Sequence, residues 1–207
     1  MRRYGRFAKG QSMLEAVIAT GIIVTAVSSA LTLVSSSINA EKESEALLTA
    51  GNLAREGIEA VRSIRDSNWL AGRPFDDAMY VAAGNDYTGA PMFSAATNSW
   101  TIDFTPNAVT DARARVFRYT TGSGQAVVGL WVQAAAQPGG TVVTQYNRLL
   151  IMDPLCDNDA GGYTIVTSGT GCGSAKKIGV RVTSKVRWSL AGRVKTLDME
   201  ERLMDWR

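Results

Sequence analysis

The sequence predicts an α+β fold in which one long N-terminal helix packs against an antiparallel β-sheet. Residues 16–40 carry no charged side chain, and residues 41–65 are rich in Ala, Leu, Glu and Arg, which favour helix. After Asp66, short alternating runs lie between stretches rich in Gly, Asn, Pro, Ser and Thr, a pattern typical of strands and turns. The clearest alternation, at residues 178–190, gives one apolar and one basic face.

Residues 16–34 have the length of a membrane-spanning helix. A helix of about 20 residues crosses the hydrocarbon core, and these 19 residues are mostly apolar. The first ten residues contain four basic side chains and no acid, namely Arg2, Arg3, Arg6 and Lys9. Because positive charge stays in the cytoplasm, the chain beyond this segment is predicted to lie outside the cytoplasm.

The helix is predicted to continue into the globular domain. Apolar or small residues recur three or four positions apart in residues 41–65 and place a narrow apolar seam on one helix face. They are Leu47, Gly51, Ala54, Ile58 and Val61. We therefore expect this half of the helix to pack on the sheet.

Five later segments are predicted strands. They are residues 100–104, 127–132, 146–152, 178–190 and 194–197, with a turn at 191–193 between the last two. Residues 199–206 fit either a final strand or a short helix.

The composition excludes several classes of enzyme. The 207-residue chain has no His, so neither a Ser-His-Asp nor a Cys-His arrangement is possible, and no zinc site can use His. It also lacks a GxSxG motif, a phosphate-binding loop and a compelling pair of carboxylates. A Ser-Lys dyad stays open. We expect a protein that is not an enzyme, with no cofactor and no small-molecule substrate.

Two interpretations of the apolar segment are open from its residues. An ordinary secretory signal has an apolar stretch of about 7–15 residues and then a small-residue cleavage site, for which Val34, Ser35 and Ser36 would serve. The longer stretch seen here favours a segment that is retained. The lone acid Glu15 lies immediately before this apolar stretch, where a charge is costly if it enters the hydrocarbon. Its presence also favours a segment that is retained.

The segment KGQSMLEAVIA, residues 9–19, resembles the N-terminus of type IV prepilins and pseudopilins. In that family a short basic leader ends in Gly, a membrane peptidase cuts after it, and Glu is the fifth mature residue. The resemblance implies that prepilin peptidase cleaves between Gly10 and Gln11. It also implies that Glu15 acts in assembly. Residues 53–62, LAREGIEAVR, look like minor-pilin sequences.

The resemblance further implies a partner for Glu15. Inside a filament its carboxylate would lie among packed apolar helices and would need a counter-charge. The implied partner is the free α-amino group of Gln11 on the same or a neighbouring subunit. Gln11 replaces the usual Phe or Met, which leaves N-methylation open. Thr32 stands where many pilin helices have Pro, so we expect no proline kink.

These interpretations divide the chain into a leader at 1–10, a long helix at 11–65 and an extracytoplasmic β-rich domain at 66–207. Loss of the leader would remove four of the 22 basic residues and leave 18 against 19 acidic ones. The net charge of +3 therefore mainly reflects membrane orientation. We expect a single-pass protein of the inner (cytoplasmic) membrane that later enters a surface filament with other pilin subunits.

The two cysteines are predicted to form a disulfide. Cys156 and Cys172 are 16 positions apart in a domain expected to face an oxidising space. Closing such a loop stabilises a fold by about 3 kcal/mol in the chain-entropy model. Two free or metal-binding thiols are the alternative, although neither His nor a further Cys is present to complete a zinc site.

An acidic loop begins beside the first cysteine. Asp153, Asp157 and Asp159 precede Gly161 and Gly162, a spacing that resembles some calcium-binding loops. The twelfth-position Glu of an EF-hand is missing. A polar turn rich in Asx residues explains the same pattern. We therefore predict no metal site and leave calcium binding open.

The residues of segment 178–190 that alternate with the apolar ones predict a basic outward face. It contains Arg181, Lys185 and Arg187, and Arg193 and Lys195 follow the turn. Such a face could bind DNA or another surface, or it could be a solvated edge that meets acidic neighbours. No aromatic residue shares this parity, so stacking with bases is not expected.

Three functions remain in competition. The first is a structural subunit, most consistent with a minor pilin, of a type IV pilus or a pseudopilus that serves secretion or DNA uptake. The second is a membrane-anchored adhesin or other binding module that never polymerises. The third, an exported enzyme, has no supporting motif.

Overall fold

The computed structural model describes residues 9–79, 87–94, 96–122, 128–167 and 171–205, and it confirms the α+β fold. Helix α1 spans Lys9–Leu70. Eight strands follow among the described residues: β1 Thr88–Ser94, β2 Ser99–Asp103, β3 Arg115–Tyr119, β4 Trp131–Gln133, β5 Thr141–Asp157, β6 Tyr163–Ile165, β7 Lys177–Leu190 and β8 Arg193–Met204. A 3-10 turn, Ala112–Ala114, precedes β3.

The chain forms two compact units, residues 1–46 and residues 47–207. In the first unit, every described side chain from Met13 to Glu45 is exposed. Several hydroxyls along this surface donate hydrogen bonds within the helix. Thr25, Ser29 and Thr32 donate to the carbonyl four residues earlier, at 3.1, 2.8 and 2.9 Å. These hydroxyls therefore need no water, which suits a helix in apolar surroundings.

Helix α1 ends five residues beyond the boundary predicted at residue 65. Asp66, Ser67 and Asn68 are poor helix formers, which is why the sequence indicates an earlier end. The structure retains them in the helix because Asn68 is buried and its side-chain amide donates to the carbonyls of Phe75 and Asp77, at 3.2 and 2.8 Å. Tertiary contacts thus extend the helix past its local preference.

Strand β5 is the central strand of the antiparallel sheet in the second unit. Strand β7 pairs along one edge of β5, and β8 pairs with β7. On the other edge, β3, β1 and β6 pair with successive parts of β5. Strand β2 pairs with β1, and β4 pairs with β3. Two hairpins, β1–β2 and β3–β4, therefore lie on the same side of β5.

The core lies between the C-terminal part of α1 and one face of this sheet. It contains Ile58, Val61, Ile64, Met79, Leu150, Met152, Val180, Val182 and Leu203. Gly57 brings the helix backbone close to the sheet, since a Cβ at this position would lie 2.7 Å from Ser184 Oγ and 2.9 Å from Leu150 Cδ2. Of the predicted seam, Ala54, Ile58 and Val61 are buried, whereas Leu47 is 49% exposed, so the seam packs on the sheet only in its C-terminal part.

Most predicted strands are present, with changed limits. The segment 178–190 is β7, and Val180, Val182, Val186 and Trp188 are buried on its inner face. The prediction at 127–132 is wrong over 128–130, because Gly129 has φ 91° and donates to the carbonyl of Tyr119 in a turn; residue 127 lies outside the described residues. Residues 199–204 form a strand, the end of β8.

Candidate functional site

The predicted cleavage site lies at the start of α1. The backbone at Gly10 and Gln11 is helical, and residues 1–8 of the expected leader lie outside the described residues. Glu15 is exposed and has no ion-pair partner among the described residues. Its expected pairing with the α-amino group of Gln11 stays a prediction, because it requires a cleaved chain.

An exposed apolar surface follows Glu15 along the helix of the first unit. By length and composition, α1 could cross a membrane once. Its exposed large side chains in this segment include Val17, Ile18, Ile22, Ile23, Val24, Val27, Leu31, Leu33 and Val34. A helix that is apolar on every side is typical of a membrane span or of a helix buried in a protein core.

The disulfide between Cys156 and Cys172 is present, as predicted. Cys156 is buried near the end of β5, and the Cα atoms of the pair are 5.4 Å apart. Strand β6 lies inside the loop that the bond closes and pairs with the end of β5. The disulfide therefore fastens a small strand and its turns to the long central strand.

Two of the three aspartates of the acidic loop accept hydrogen bonds from separate partners. Asp153 is buried and accepts hydrogen bonds from Arg181. Asp157 accepts from the backbone N–H of Asp159, at 3.0 Å, in an Asx turn. No group of three or more Asp, Glu, Cys or His side chains among the described residues could hold a metal ion.

The outward face of β7 is less basic than the sequence indicates. Arg181 pairs with Asp153 on β5 and with Glu200 on β8, and Lys185 pairs with Asp198 on β8. Of the remaining predicted cations, Arg187 and Arg193 have no ion pair among the described residues. Neighbouring strands therefore supply acids that compensate the charges of Arg181 and Lys185. Binding of DNA stays one of the two interpretations that the sequence leaves open.

A cleft that the sequence does not reveal lies between the two hairpins. It has a volume of about 180 Å³ and is lined by Glu56 from α1, Phe93 and Trp100 from β1–β2, Leu130 to Gln133 around β4, and Arg148 from β5. Its surface is mostly aromatic or aliphatic. Pockets with mainly apolar walls and a few placed polar groups are typical ligand sites.

Arg148 is the buried charged residue at this cleft. Its Nε donates to the side-chain oxygen of Gln133 at 2.9 Å, and its Nη1 donates to the Leu53 carbonyl at 2.9 Å and to Glu56 Oε2 at 3.1 Å. Burial lowers the pKa of the guanidinium from its usual value, and Glu56 opposes this effect. In the sequence, Arg148 alternates with the apolar residues Tyr146 and Leu150, so it lies on the inward-facing side of the strand. A charged residue at such a position could have indicated this site.

The structure thus defines an α+β protein with a potential single membrane span and a disulfide-linked β-domain. Comparison of the chain with protein-family models, curated proteins and solved structures finds no match.

Proposed function

We propose that this chain is a structural subunit of a type IV pilus or a related filament, with the character of a minor pilin. The observation that carries the proposal is the charge-free stretch at residues 16–40, exposed along its whole length in α1 and preceded by the single acid Glu15. This arrangement suits a helix that first rests in lipid and later packs against copies of itself or related subunits.

Each part of the N-terminus has a separate role in such a subunit. The basic residues before Gly10 hold that end in the cytoplasm. A prepilin peptidase cuts before Gln11, and the apolar helix stays on the mature chain. Glu15 then meets the new α-amino group, a pairing that compensates both charges in an apolar filament core. Residues 47–207 form the domain displayed at the filament surface.

The competing function is a membrane-anchored binding module. The same apolar helix would serve as a permanent anchor, and a ligand site in the β-domain would carry the activity. An uncleaved N-terminus separates this alternative from the filament subunit.

The deciding experiment is the mass of the N-terminal peptide of the protein from cells with an active prepilin peptidase. A chain that begins at Gln11 supports the proposal. A chain that begins near Ser37, or at Met1, contradicts it. The same peptide shows directly whether Gln11 carries a methyl group.

A pair of variants tests the assembly step. Glu15→Ala should be cleaved normally but should enter sheared filaments at a small fraction of the wild-type level. Glu41→Ala is the matched control, because Glu41 is an exposed acid at the other end of the charge-free stretch. Equal incorporation of the two variants would remove the role assigned to Glu15.

A further inference from the structure

The cleft between the two hairpins has fixed aromatic walls. The ring of Trp100 lies 5.2 Å from that of Phe93, and the ring of Trp131 lies 5.7 Å from that of Tyr146 in an edge-on arrangement. Such contacts hold aromatic side chains in place. A ligand that enters this space therefore meets two preformed indole surfaces, which lowers the entropic cost of binding.

In the ion pair of Arg148 and Glu56, one polar atom of each side chain has no hydrogen-bond partner among the described residues. Arg148 uses Nε and Nη1 in hydrogen bonds but leaves Nη2 unused. Glu56 binds Arg148 through Oε2 and leaves Oε1 unused. One donor and one acceptor are thus available in a neutral ion pair.

The unused donor of Arg148 and the unused acceptor of Glu56 favour some classes of ligand over others. A purely apolar side chain would cover the guanidinium and the carboxylate without replacing their hydrogen bonds, which is unfavourable. An anion would be attracted by Arg148 but repelled by Glu56. A cation would be attracted by Glu56 but repelled by Arg148. A neutral group with neighbouring hydroxyls can accept from Arg148 and donate to Glu56.

The walls and the volume narrow the choice further. A volume of about 180 Å³ lies below the range of about 300–1,000 Å³ that is typical of pockets for drug-sized ligands, so the cleft is suited to a single ring. A ring that joins hydroxyls to an apolar C–H face suits both the indole walls and the polar floor. We propose that this cleft binds one neutral sugar residue of a saccharide. The proposal is independent of filament assembly.

The test uses the full chain in phospholipid nanodiscs free of glycolipids, because detergents with sugar head groups would compete. Neutral methyl hexosides and N-acetylhexosamines are titrated by saturation-transfer NMR and calorimetry, with glucuronate as the charged comparison. We expect at least one neutral sugar to bind with a dissociation constant on the order of 1 mM. Glucuronate should bind more weakly.

Variants locate the binding. Trp100→Ala and Trp131→Ala each remove one wall and should weaken binding by roughly tenfold. Val194→Ala is the control, because Val194 is an exposed apolar residue in β8 that does not line the cleft. The disulfide and the circular dichroism spectrum of each variant establish that it is folded. Should one tryptophan variant fail to fold, the other still decides the question.

Three results would overturn the proposal. They are the absence of neutral-sugar binding at tens of millimolar, sugar binding that both tryptophan variants retain, and tighter binding of glucuronate than of every neutral sugar. Binding of N-acetyltryptophanamide in place of sugars would assign the cleft to a protein partner and would also overturn it. None of these results bears on the N-terminus at Gln11, so the two proposals fail separately.

Discussion

Glu56 of helix α1 and Arg148 of strand β5 form an ion pair, with 3.1 Å between Oε2 and Nη1. The arginine side chain is 2% exposed and the glutamate side chain 38%. Because the guanidinium is almost removed from water, its charge depends on Glu56 and on the oxygens of Leu53 and Gln133. The pair thus joins helix to sheet and forms the polar floor of the cleft.

Replacement of Glu56 by Gln should lower the free energy of unfolding by about 2–3 kcal/mol. Loss of one partner leaves a buried charge uncompensated, an effect of about 3–5 kcal/mol in fully buried pairs, and solvent around the half-exposed Glu56 reduces it. Urea unfolding followed by tryptophan fluorescence measures the change.

The control for this variant is Glu59→Gln on the same helix. Glu59 pairs with Arg62 at a more exposed position, so the change should stay below about 1 kcal/mol. Equal effects of the two variants would show that burial of Arg148 does not set the strength of its pair.

Asp103 should make the stability of the β-domain dependent on acid pH. Burial alone would raise the pKa of Asp103, but hydrogen bonds from Thr105 and Arg113 outweigh burial and hold that pKa below its usual value. A lowered folded-state pKa gives stability that is present above the unfolded pKa, about 3.9, and is lost as the pH falls through the folded value.

We therefore expect Asp103→Asn to lose about 1–2 kcal/mol of stability at neutral pH, with a difference from wild type that shrinks below about pH 4. Unfolding curves at several pH values measure it. Asp159→Asn provides the control, since Asp159 is exposed in a polar turn, and its effect on stability should be small. A pH-independent difference for Asp103→Asn would refute this account.

Features with a strong local pattern could be predicted from the sequence. Period-2 alternation identified β7 and its buried valines, and the spacing of Cys156 and Cys172 in an expected oxidising space identified the disulfide. Strand β1 was missed because its sequence, TGAPMFS, contains Gly and Pro, which are poor strand formers. Its place in the sheet comes from pairing with β2 and with β5.

The missed parts of the candidate sites depend on register between distant segments. Alternation shows that Arg181 and Lys185 share a face, but only the β7–β8 pairing places Asp198 opposite Lys185. Likewise, Arg148 and Glu56 are 92 positions apart, and nothing local indicates that they meet. Local periodicity predicts which residues share one face of a strand, whereas the net charge of that face also depends on the side chains of the neighbouring strands.

Loss of the disulfide should lower the free energy of unfolding by about 3 kcal/mol, since the closed loop spans 16 positions. The change is Cys156→Ser with Cys172→Ser, measured by denaturant unfolding under non-reducing conditions. A reductant should destabilise the wild type similarly and leave the double variant unchanged. Wild-type stability in the double variant would show that the pairing of β5 with β6 does not need the covalent link.

Two glycines on the same helix should respond in opposite directions to Ala. A methyl group at Gly57 would lie 2.7 Å from Ser184 Oγ and 2.9 Å from Leu150 Cδ2, whereas the nearest atom to one at Gly51, Leu197 Cδ2, is 4.0 Å away. Ala stabilises a helix by about 1 kcal/mol relative to Gly, and overpacking of a core costs about 1–3 kcal/mol.

Gly51→Ala should therefore raise the free energy of unfolding by about 0.5–1 kcal/mol, and Gly57→Ala should lower it by about 1–2 kcal/mol. Thermal and urea unfolding of both variants under the same conditions measure the pair. Because the helix propensity term is the same at both sites, the difference between them isolates the close approach of α1 to β5 and β7. A stabilised Gly57→Ala variant would mean that the helix moves away from the sheet at little cost and that Ser184 does not limit their separation.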